Sequence, residues 1–202
     1  MTMSRRFAIA SLAALLGLAA GCSISVDKAK NGDDKNVKID TPIGGVHVSS
    51  NDMTAADVGL PVYPGAHSYW HEKDGDKAAD IHFGIGDWQF HLKVVKYQTS
   101  DSADSVLAFY RKALGRYGDV IQCDGHSPVG TPTITREGLT CDDSGNNNQA
   151  KFKLDESQSL KAGSKRHQHI VGIEKSDDPG TVFSLVELDL PAAIQESKGE
   201  SN

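Results

Sequence analysis

Two runs of alternating apolar and polar residues between positions 79 and 97 predict a β-hairpin. The apolar residues recur at every second position of each run: Ile81, Phe83 and Ile85, then Trp88, Phe90, Leu92 and Val94. Gly86 and Asp87 separate the runs and suit a two-residue turn. This turn pairs Phe83 with Phe90, so that every pair on that face is apolar, and it pairs His82 with His91 on the opposite face. A shift of one residue would set aromatic rings against polar partners, so the pattern specifies this register strongly.

The segment from 101 to 117 carries apolar residues at helical spacing. They form one stripe, made of Val106, Phe109, Tyr110, Ala113, Leu114 and Tyr117. Asp101 is the expected N-cap, because its carboxylate can accept a hydrogen bond from a backbone amide of the first turn. Gly118 is expected to end the helix in a left-handed conformation. The pattern therefore predicts one amphipathic helix that packs its stripe against the core.

Shorter apolar runs before and after the helix predict further strands. Alternation on both sides of a turn signal predicts a small hairpin over 36–50, outside the main core. The later strands are expected at 119–123, 138–141, 150–154, 167–174 and 182–190. Strands on both sides of one good helix indicate an α+β fold. We expect a single small domain over 51–191, with a mainly antiparallel sheet packed with one principal helix, and a disordered polar tail over 192–202.

The first 22 residues have the pattern of an export signal. Arg5 and Arg6 precede fourteen residues that are interrupted only by Ser11 and Gly17, a segment that is too short to span a bilayer stably. Positions 18–22 read Leu-Ala-Ala-Gly-Cys, which resembles the lipobox of bacterial lipoproteins. The resemblance implies that residues 1–21 are a cleaved signal peptide and that Cys22 is lipidated as the first residue of the mature protein. The polar residues that follow predict a lipidated tether over 22–35.

The resemblance also implies a cellular location, and the net charge restricts the possible partners. Ser23 stands where lipoproteins retained at the inner membrane commonly have Asp, which implies an outer-membrane anchor facing the periplasm in a cell with two membranes. Loss of Arg5 and Arg6 with the signal segment changes the formal net charge from −6 to −8. An acidic chain binds nucleic acid and anionic membranes poorly. The expected partner is therefore the membrane, through the lipid on Cys22, and no nucleic acid.

Two cysteines remain after lipidation uses Cys22. Cys123 and Cys141 form an even pair in an exported chain, which predicts a disulfide. Two buried free thiols are the alternative.

A second resemblance covers about residues 58–123. It rests on the stretch PVYPGA at 61–66, the helix TSDSADSVLAFYRKALGRYG at 99–118 and the strand after it. This pattern is similar to that of uncharacterised exported bacterial lipoproteins. The similarity implies an exported location but no particular chemical activity.

Histidines are the one unusual feature with chemical potential. His82 and His91 face each other in the predicted hairpin, and Asp80 is expected to pair with Lys93 beside them, so we expect that His pair to be structural. His167 and His169 lie two residues apart in a strand and therefore share a face, where they could chelate a metal with one further ligand. Against this, the adjacent cations at 165 and 166 would repel a metal. We therefore assign no metal and no cofactor, with the two His pairs as candidates.

No complete catalytic motif is present in the sequence. Residues 125–129 nearly spell a nucleophile elbow, but Val129 replaces the final glycine and Pro128 precludes the helix that must follow. We therefore expect a non-enzymatic, lipid-anchored envelope protein with a binding or structural role. The alternative is a metal-binding or envelope sensor module that uses the His pairs, and the third hypothesis is a hydrolase with a dispersed site.

Overall fold

One long antiparallel sheet organises the chain. The computed structural model describes residues 23–28, 35–41, 44–49, 53–69, 78–86, 88–141 and 156–191. Eleven strands of these segments join in the order β1-β2-β3-β5-β6-β11-β10-β9-β7-β8, with β4 paired to β6. Their bounds are β1 Ser23–Lys28, β2 Lys35–Thr41, β3 Gly44–Ser49, β4 His67–Ser68, β5 Ala78–Ile85, β6 Trp88–Thr99, β7 Ile121–Asp124, β8 Ser127–Pro128, β9 Glu156–Gly163, β10 His167–Glu174 and β11 Thr181–Asp189.

The main core lies on one face of the sheet, which we call the inner face, and a smaller buried cluster of Leu92, Ile170 and Val186 lies on the outer face. Alternate residues of the central strands point to each face. Among the described residues one α-helix, α1 (Ala103–Leu114), covers the inner face and buries Val106, Leu107, Tyr110 and Leu114. The sheet side of this core is built from Val95, Tyr97, Leu160, Ala162, Val171, Ile173, Phe183 and Leu185. A mostly antiparallel sheet with one helix in a single domain fits the expected α+β class.

The segment before the hairpin is tied onto the same face. It contains a short 3-10 helix, Ala55–Val58. The backbone amide of Ala55 donates to the hydroxyl of Tyr97 at 3.0 Å, and the hydroxyl of Tyr110 donates to the carbonyl of Pro61 at 3.0 Å. These bonds join the segment to both the sheet and α1, which fixes its position over β6, β10 and β11.

The predicted hairpin is confirmed residue by residue. Phe83 lies opposite Phe90, and His82 lies opposite His91. Strand β10 begins and ends where the sequence predicts, at His167–Glu174.

The ends of α1 differ from the prediction. Ser102, and not Asp101, is the N-cap, because its side chain accepts the amide of Ser105 at 3.3 Å. Asp101 instead accepts a hydrogen bond from the hydroxyl of Tyr63 at 2.7 Å. The helix ends at Leu114 in a 3-10 turn, and Gly118 has φ 124° and ψ −154°, outside the left-handed helical values expected.

Three further expectations are corrected. Strand β1 lies within the segment expected to be a tether over 22–35, and it pairs with β2. The hairpin expected over 36–50 forms as β2 and β3, but β3 pairs with β5, so it extends the main sheet. Residues 138–141 form no strand; instead the amide of Leu139 donates to the hydroxyl of Thr135 at 2.9 Å, which holds a turn. The sequence also missed β9.

Cys123 and Cys141 lie at disulfide distance, as predicted, with their Cα atoms 5.5 Å apart. They form a small buried cluster with Ile121 and Leu139.

Several expectations lie outside the described residues. These are the signal peptide over 1–21, Cys22, the strand at 150–154 and the tail over 192–202. Among the residues that are described, no helix is both long enough and apolar enough to cross a membrane.

Candidate metal site

The inner face turns polar at the end of β10 and β11 that α1 does not cover. The alternation that places Val171 and Phe183 in the core continues to His169 and Glu187, which are direct partners in the register. One step farther along the strands, His167 pairs with Asp189. The sheet therefore sets two histidines and two carboxylates side by side on one face.

His167, His169 and Glu187 each offer one ligand atom to a common point. These three atoms all lie within 4.8 Å of one another. Within the described part of the chain, this is the one group of three or more His, Cys, Asp or Glu residues with that geometry.

His169 is buried, with 2 % of its surface exposed, and its ring is held in one orientation. Its Nδ1 lies 3.2 Å from the carbonyl oxygen of Val58. A carbonyl can only accept, so Nδ1 carries the proton and Nε2 carries the lone pair of the neutral imidazole. Nε2 is buried and has no hydrogen-bond partner among the described residues. An unsatisfied buried acceptor costs about 1–3 kcal/mol.

His167 has a matching arrangement on the exposed side of the site. Its Nδ1 is hydrogen-bonded to the carboxylate of Asp189, which can only accept. Its Nε2 lies 4.0 Å from Oε1 of Glu187, and in the neutral ring this nitrogen carries the lone pair that a metal needs. A carboxylate that holds the far nitrogen of a histidine is the usual support of a metal-ligating imidazole.

Glu187 has one oxygen fixed and one oxygen turned to the histidines. The ammonium group of Lys93 donates to Oε2 at 2.9 Å and also to the carbonyl of Asp57 at 3.2 Å. This anchors the carboxylate and leaves Oε1 toward His167. All three candidate ligands are therefore oriented by a second layer of hydrogen bonds.

Packing above His169 restricts its movement. The ring of Tyr117 stacks on it, with the two centroids 3.6 Å apart and an interplanar angle of 23°. The hydroxyl of Tyr117 donates to the carbonyl of Gly59 at 2.6 Å. Gly59 has φ +71°, and a Cβ built there would lie 2.4 Å from the Tyr117 hydroxyl and 3.3 Å from Cε1 of His169. Only glycine fits this position without displacing the wall of the site.

The surroundings also favour a neutral imidazole at position 169. Burial lowers the pKa of His169 below its ordinary value of 6.5, because the charged form loses hydration. The hydrogen bond to Glu187 raises the pKa of Lys93, so this lysine keeps its charge.

The other His pair has a different environment. The rings of His82 and His91 are neighbours, 5.3 Å between centroids, as the register predicts. Nε2 of His82 donates to the side-chain oxygen of Gln89 at 2.9 Å, and Nε2 of His91 bonds to Asp80 at 2.6 Å. Asp80 lies directly opposite Lys93, as the register predicts. Their side-chain hydrogen bonds go to other partners, since Asp80 bonds to His91 and Lys93 bonds to Glu187. Gln89 and Asp80 therefore occupy the Nε2 atoms of the two rings.

The cations expected to repel a metal from His167 and His169 lie elsewhere. Lys165 extends over Gly138, where a Cβ would meet its Cε at 2.9 Å. Arg166 donates to the carbonyl of Leu190 at 3.4 Å. The cation in contact with a candidate ligand is instead Lys93, which bonds to Oε2 of Glu187.

The arrangement suits a small divalent cation. Three ligand atoms separated by no more than 4.8 Å lie at most about 2.8 Å from a common centre. Zn²⁺ bonds at about 2.0–2.2 Å, so each atom would move inward by at most about 0.7 Å. His167 has 54 % of its side chain exposed and can make most of that movement. Water would take the fourth position of a tetrahedral site.

Sequence reasoning identified both histidines and missed the third ligand. Glu187 lies eighteen positions beyond His169, and only the pairing of β10 with β11 brings them together. The available signal was the alternating stretch that ends β11, in which Glu187 and Asp189 share one face, as His167 and His169 do.

No protein-family model, no curated protein and no solved structure matches this chain.

Proposed function

We propose that this chain is a lipid-anchored cell-envelope protein with a non-catalytic binding role, and that its ligand is a divalent transition-metal ion of the Zn²⁺ type held by His167, His169 and Glu187. The observation that carries the proposal is the buried Nε2 of His169, which has a lone pair, a fixed orientation and no partner among the described residues. A metal ion would satisfy that atom and would also join the other two ligands.

The donor set decides the class of metal. Two imidazole nitrogens and one carboxylate oxygen suit Zn²⁺ and its neighbours in the first transition row. Ca²⁺ and Mg²⁺ prefer sites built entirely from oxygen atoms. We therefore expect Zn²⁺ to bind and Mg²⁺ not to compete with it.

The described surface cavity does not include the candidate ligands. It has a volume of about 310 Å³ and is lined by residues of β3, β5 and β6, including His47, His82 and Gln89. The ligand proposal therefore rests on the group of His167, His169 and Glu187 and not on this cavity.

The proposed cellular location rests mainly on sequence features. The export-type segment, the lipobox resemblance at Cys22 and the Cys123–Cys141 pair at disulfide distance support an oxidising compartment outside the cytoplasm.

Titration calorimetry tests the ligand. Wild-type protein should bind one Zn²⁺ per chain, and an excess of Mg²⁺ should leave the titration unchanged. His169→Asn keeps a donor for the carbonyl of Val58 but removes the Nε2 ligand. Since loss of a mere supporting hydrogen bond costs about 10–100-fold in metal affinity, loss of the ligand itself should cost at least about 10-fold.

The matched control is His82→Asn, an exposed histidine that bonds to Gln89 and lies outside the site. It should bind Zn²⁺ like the wild type. Because a change at buried His169 also affects folding, His167→Asn and Glu187→Gln provide independent tests at less buried positions. Zn²⁺ binding that survives all three site variants, or that is lost in His82→Asn, would refute the assignment.

The proposed membrane anchor is tested separately. Mass spectrometry of the mature N-terminus should find acyl mass on Cys22, and Cys22→Ser should release the protein from membranes or leave the precursor uncleaved. An unmodified Cys22 in a processed protein would refute the anchor and leave the metal site untouched.

A further inference from the structure

The turn end of the β5–β6 hairpin carries one exposed aliphatic side chain, Ile85, beside three partly buried aromatic side chains. On the outer face, opposite α1, we define the hairpin end as Phe83, Ile85, Trp88 and Phe90. Ile85 is 47 % exposed, although it is a large aliphatic residue. The rings of Phe83 and Trp88 pack edge to face, 5.3 Å between centroids, so the surface is preformed. The described helices lie on the inner face and do not cover it.

The register places Ser23, the first described residue, at this same end of the sheet. Ser23 begins β1 and pairs with Asp40. Asp40 pairs with Gly45, and Gly45 pairs with Gly84. Gly84 is one position from Ile85, whose pairing with Trp88 closes the hairpin.

Strand spacing converts this alignment into a distance. Three steps between adjacent strands separate Ser23 from Gly84, which is roughly 14 Å at about 4.8 Å per step. Cys22 directly precedes Ser23, so acyl chains on Cys22 would hold this edge of the sheet at the membrane surface, within a few strand spacings of the hairpin end.

We propose that the hairpin end is a second membrane contact, which inserts Ile85 and Trp88 into the interfacial region of the bilayer that holds the lipid on Cys22. The proposal rests on the lipid anchor of the proposed function. Tryptophan favours this region, since its ring is apolar and its N–H can reach water or head groups. One lipidated site tethers a domain, whereas a second contact also fixes its orientation.

The contact is apolar and not electrostatic. The chain without its signal segment has a formal charge of −8, after loss of two positive charges from −6, which disfavours attraction to anionic lipids. Insertion should therefore occur on zwitterionic vesicles and should be insensitive to salt.

Fluorescence quenching by brominated lipid tests this contact. The full acylated chain with Trp70→Phe has Trp88 as its only tryptophan. We would reconstitute it in phosphatidylcholine vesicles whose acyl chains carry bromine close to the head group. Its tryptophan emission should be much weaker there than in vesicles without bromine. The same protein with Cys22→Ser, free in solution, should keep its emission when no vesicles are present.

A reporter at the opposite end of the sheet provides the matched control. His126 is exposed in the turn between β7 and β8. That turn follows Asp124. Successive strand pairings across the sheet connect Asp124 to Tyr97, which lies nine residues along β6 from Trp88. His126→Trp, placed in a chain with Trp70→Phe and Trp88→Phe, should stay unquenched on the same vesicles.

The outcomes separate the two proposals. Protein that floats with vesicles but shows no quenching of Trp88 would overturn the membrane contact and leave the anchor intact. Chains that fail to float and carry no acyl mass on Cys22 would overturn the anchor itself. Copies that cross-link through Ile85→Cys, again with Trp88 unquenched, would show that a second copy covers the hairpin end and would equally overturn the contact.

Discussion

Gly59→Ala is the most direct perturbation of the proposed site that leaves all three ligands in place. Gly59 has φ +71°, so any L residue there is strained, by about 1–2 kcal/mol. The new Cβ would also lie 2.4 Å from the Tyr117 hydroxyl and must displace it. Loss of the hydroxyl-to-carbonyl bond adds about 0.5–1.5 kcal/mol. We expect the free energy of unfolding to fall by about 1.5–3.5 kcal/mol.

The matched control is Gly65→Ala. Gly65 has a similar φ of +77°, but a Cβ there would meet nothing within 4 Å. It should therefore show the backbone strain alone, about 1–2 kcal/mol. In a Tyr117→Phe background, Gly59→Ala should also approach this smaller cost, because the atom that obstructs it is gone.

Urea unfolding of the four variants, with zinc chelated, measures these free energies, and calorimetry measures Zn²⁺ affinity. Since the new Cβ also lies 3.3 Å from His169, the ring must shift, and Zn²⁺ affinity should fall roughly 10-fold, as for other supporting contacts of metal ligands. If Gly59→Ala destabilised the protein no more than Gly65→Ala and left Zn²⁺ affinity unchanged, the packing of Tyr117 on His169 would not support the site.

Two further predictions concern regions outside the site. Cys123 and Cys141 should resist alkylation in unreduced native protein, and replacing both with Ser should lower stability by about 3 kcal/mol, as expected for a closed loop of this length; labelling of both thiols would contradict the pairing. Hydrogen bonds from Arg136 lower the pKa of Asp119 below its ordinary value of 3.8, so this carboxylate stabilises the fold above that value and loses its contribution as pH falls below it. Stability measured from pH 6 down to pH 2 should therefore fall less steeply in Asp119→Asn than in the wild type, and identical slopes would contradict this role.

The hairpin could be predicted fully because its two faces differ so strongly. Phe83 and Phe90 can lie opposite each other in only one register, and local chain order supplies the turn. Strand β9 was not predicted, because its two faces differ only weakly. Its outward positions include Ser159 and Lys161, and only Leu160 and Ala162 mark the inner face, so the alternation is short and weak.

Half of the candidate site was predictable and half was not. His167 and His169 share a face by the period of a strand, which is a local property. Glu187 and the carbonyl of Val58 reach His169 through contacts between distant parts of the chain. A single sequence does not contain the order in which strands pair, so neither partner could be assigned beforehand. The position of Asp80 opposite Lys93 was predicted correctly, but their hydrogen-bond partners were not, because Lys93 bonds to Glu187 of β11 and Asp80 bonds to His91.

The pairing of β6 with β11 has a consequence for the timing of folding. Paired residues are separated by 82 positions at Thr99–Thr181 and by 98 positions at His91–Asp189. A ribosome that adds about 5–20 residues per second needs about 4–20 s to make the intervening chain. Until then β6 lacks its central neighbour, and the first half of the sheet has an open apolar edge. The nascent chain should therefore depend on chaperone protection during synthesis, and native structure should arise only after the last strand has been made.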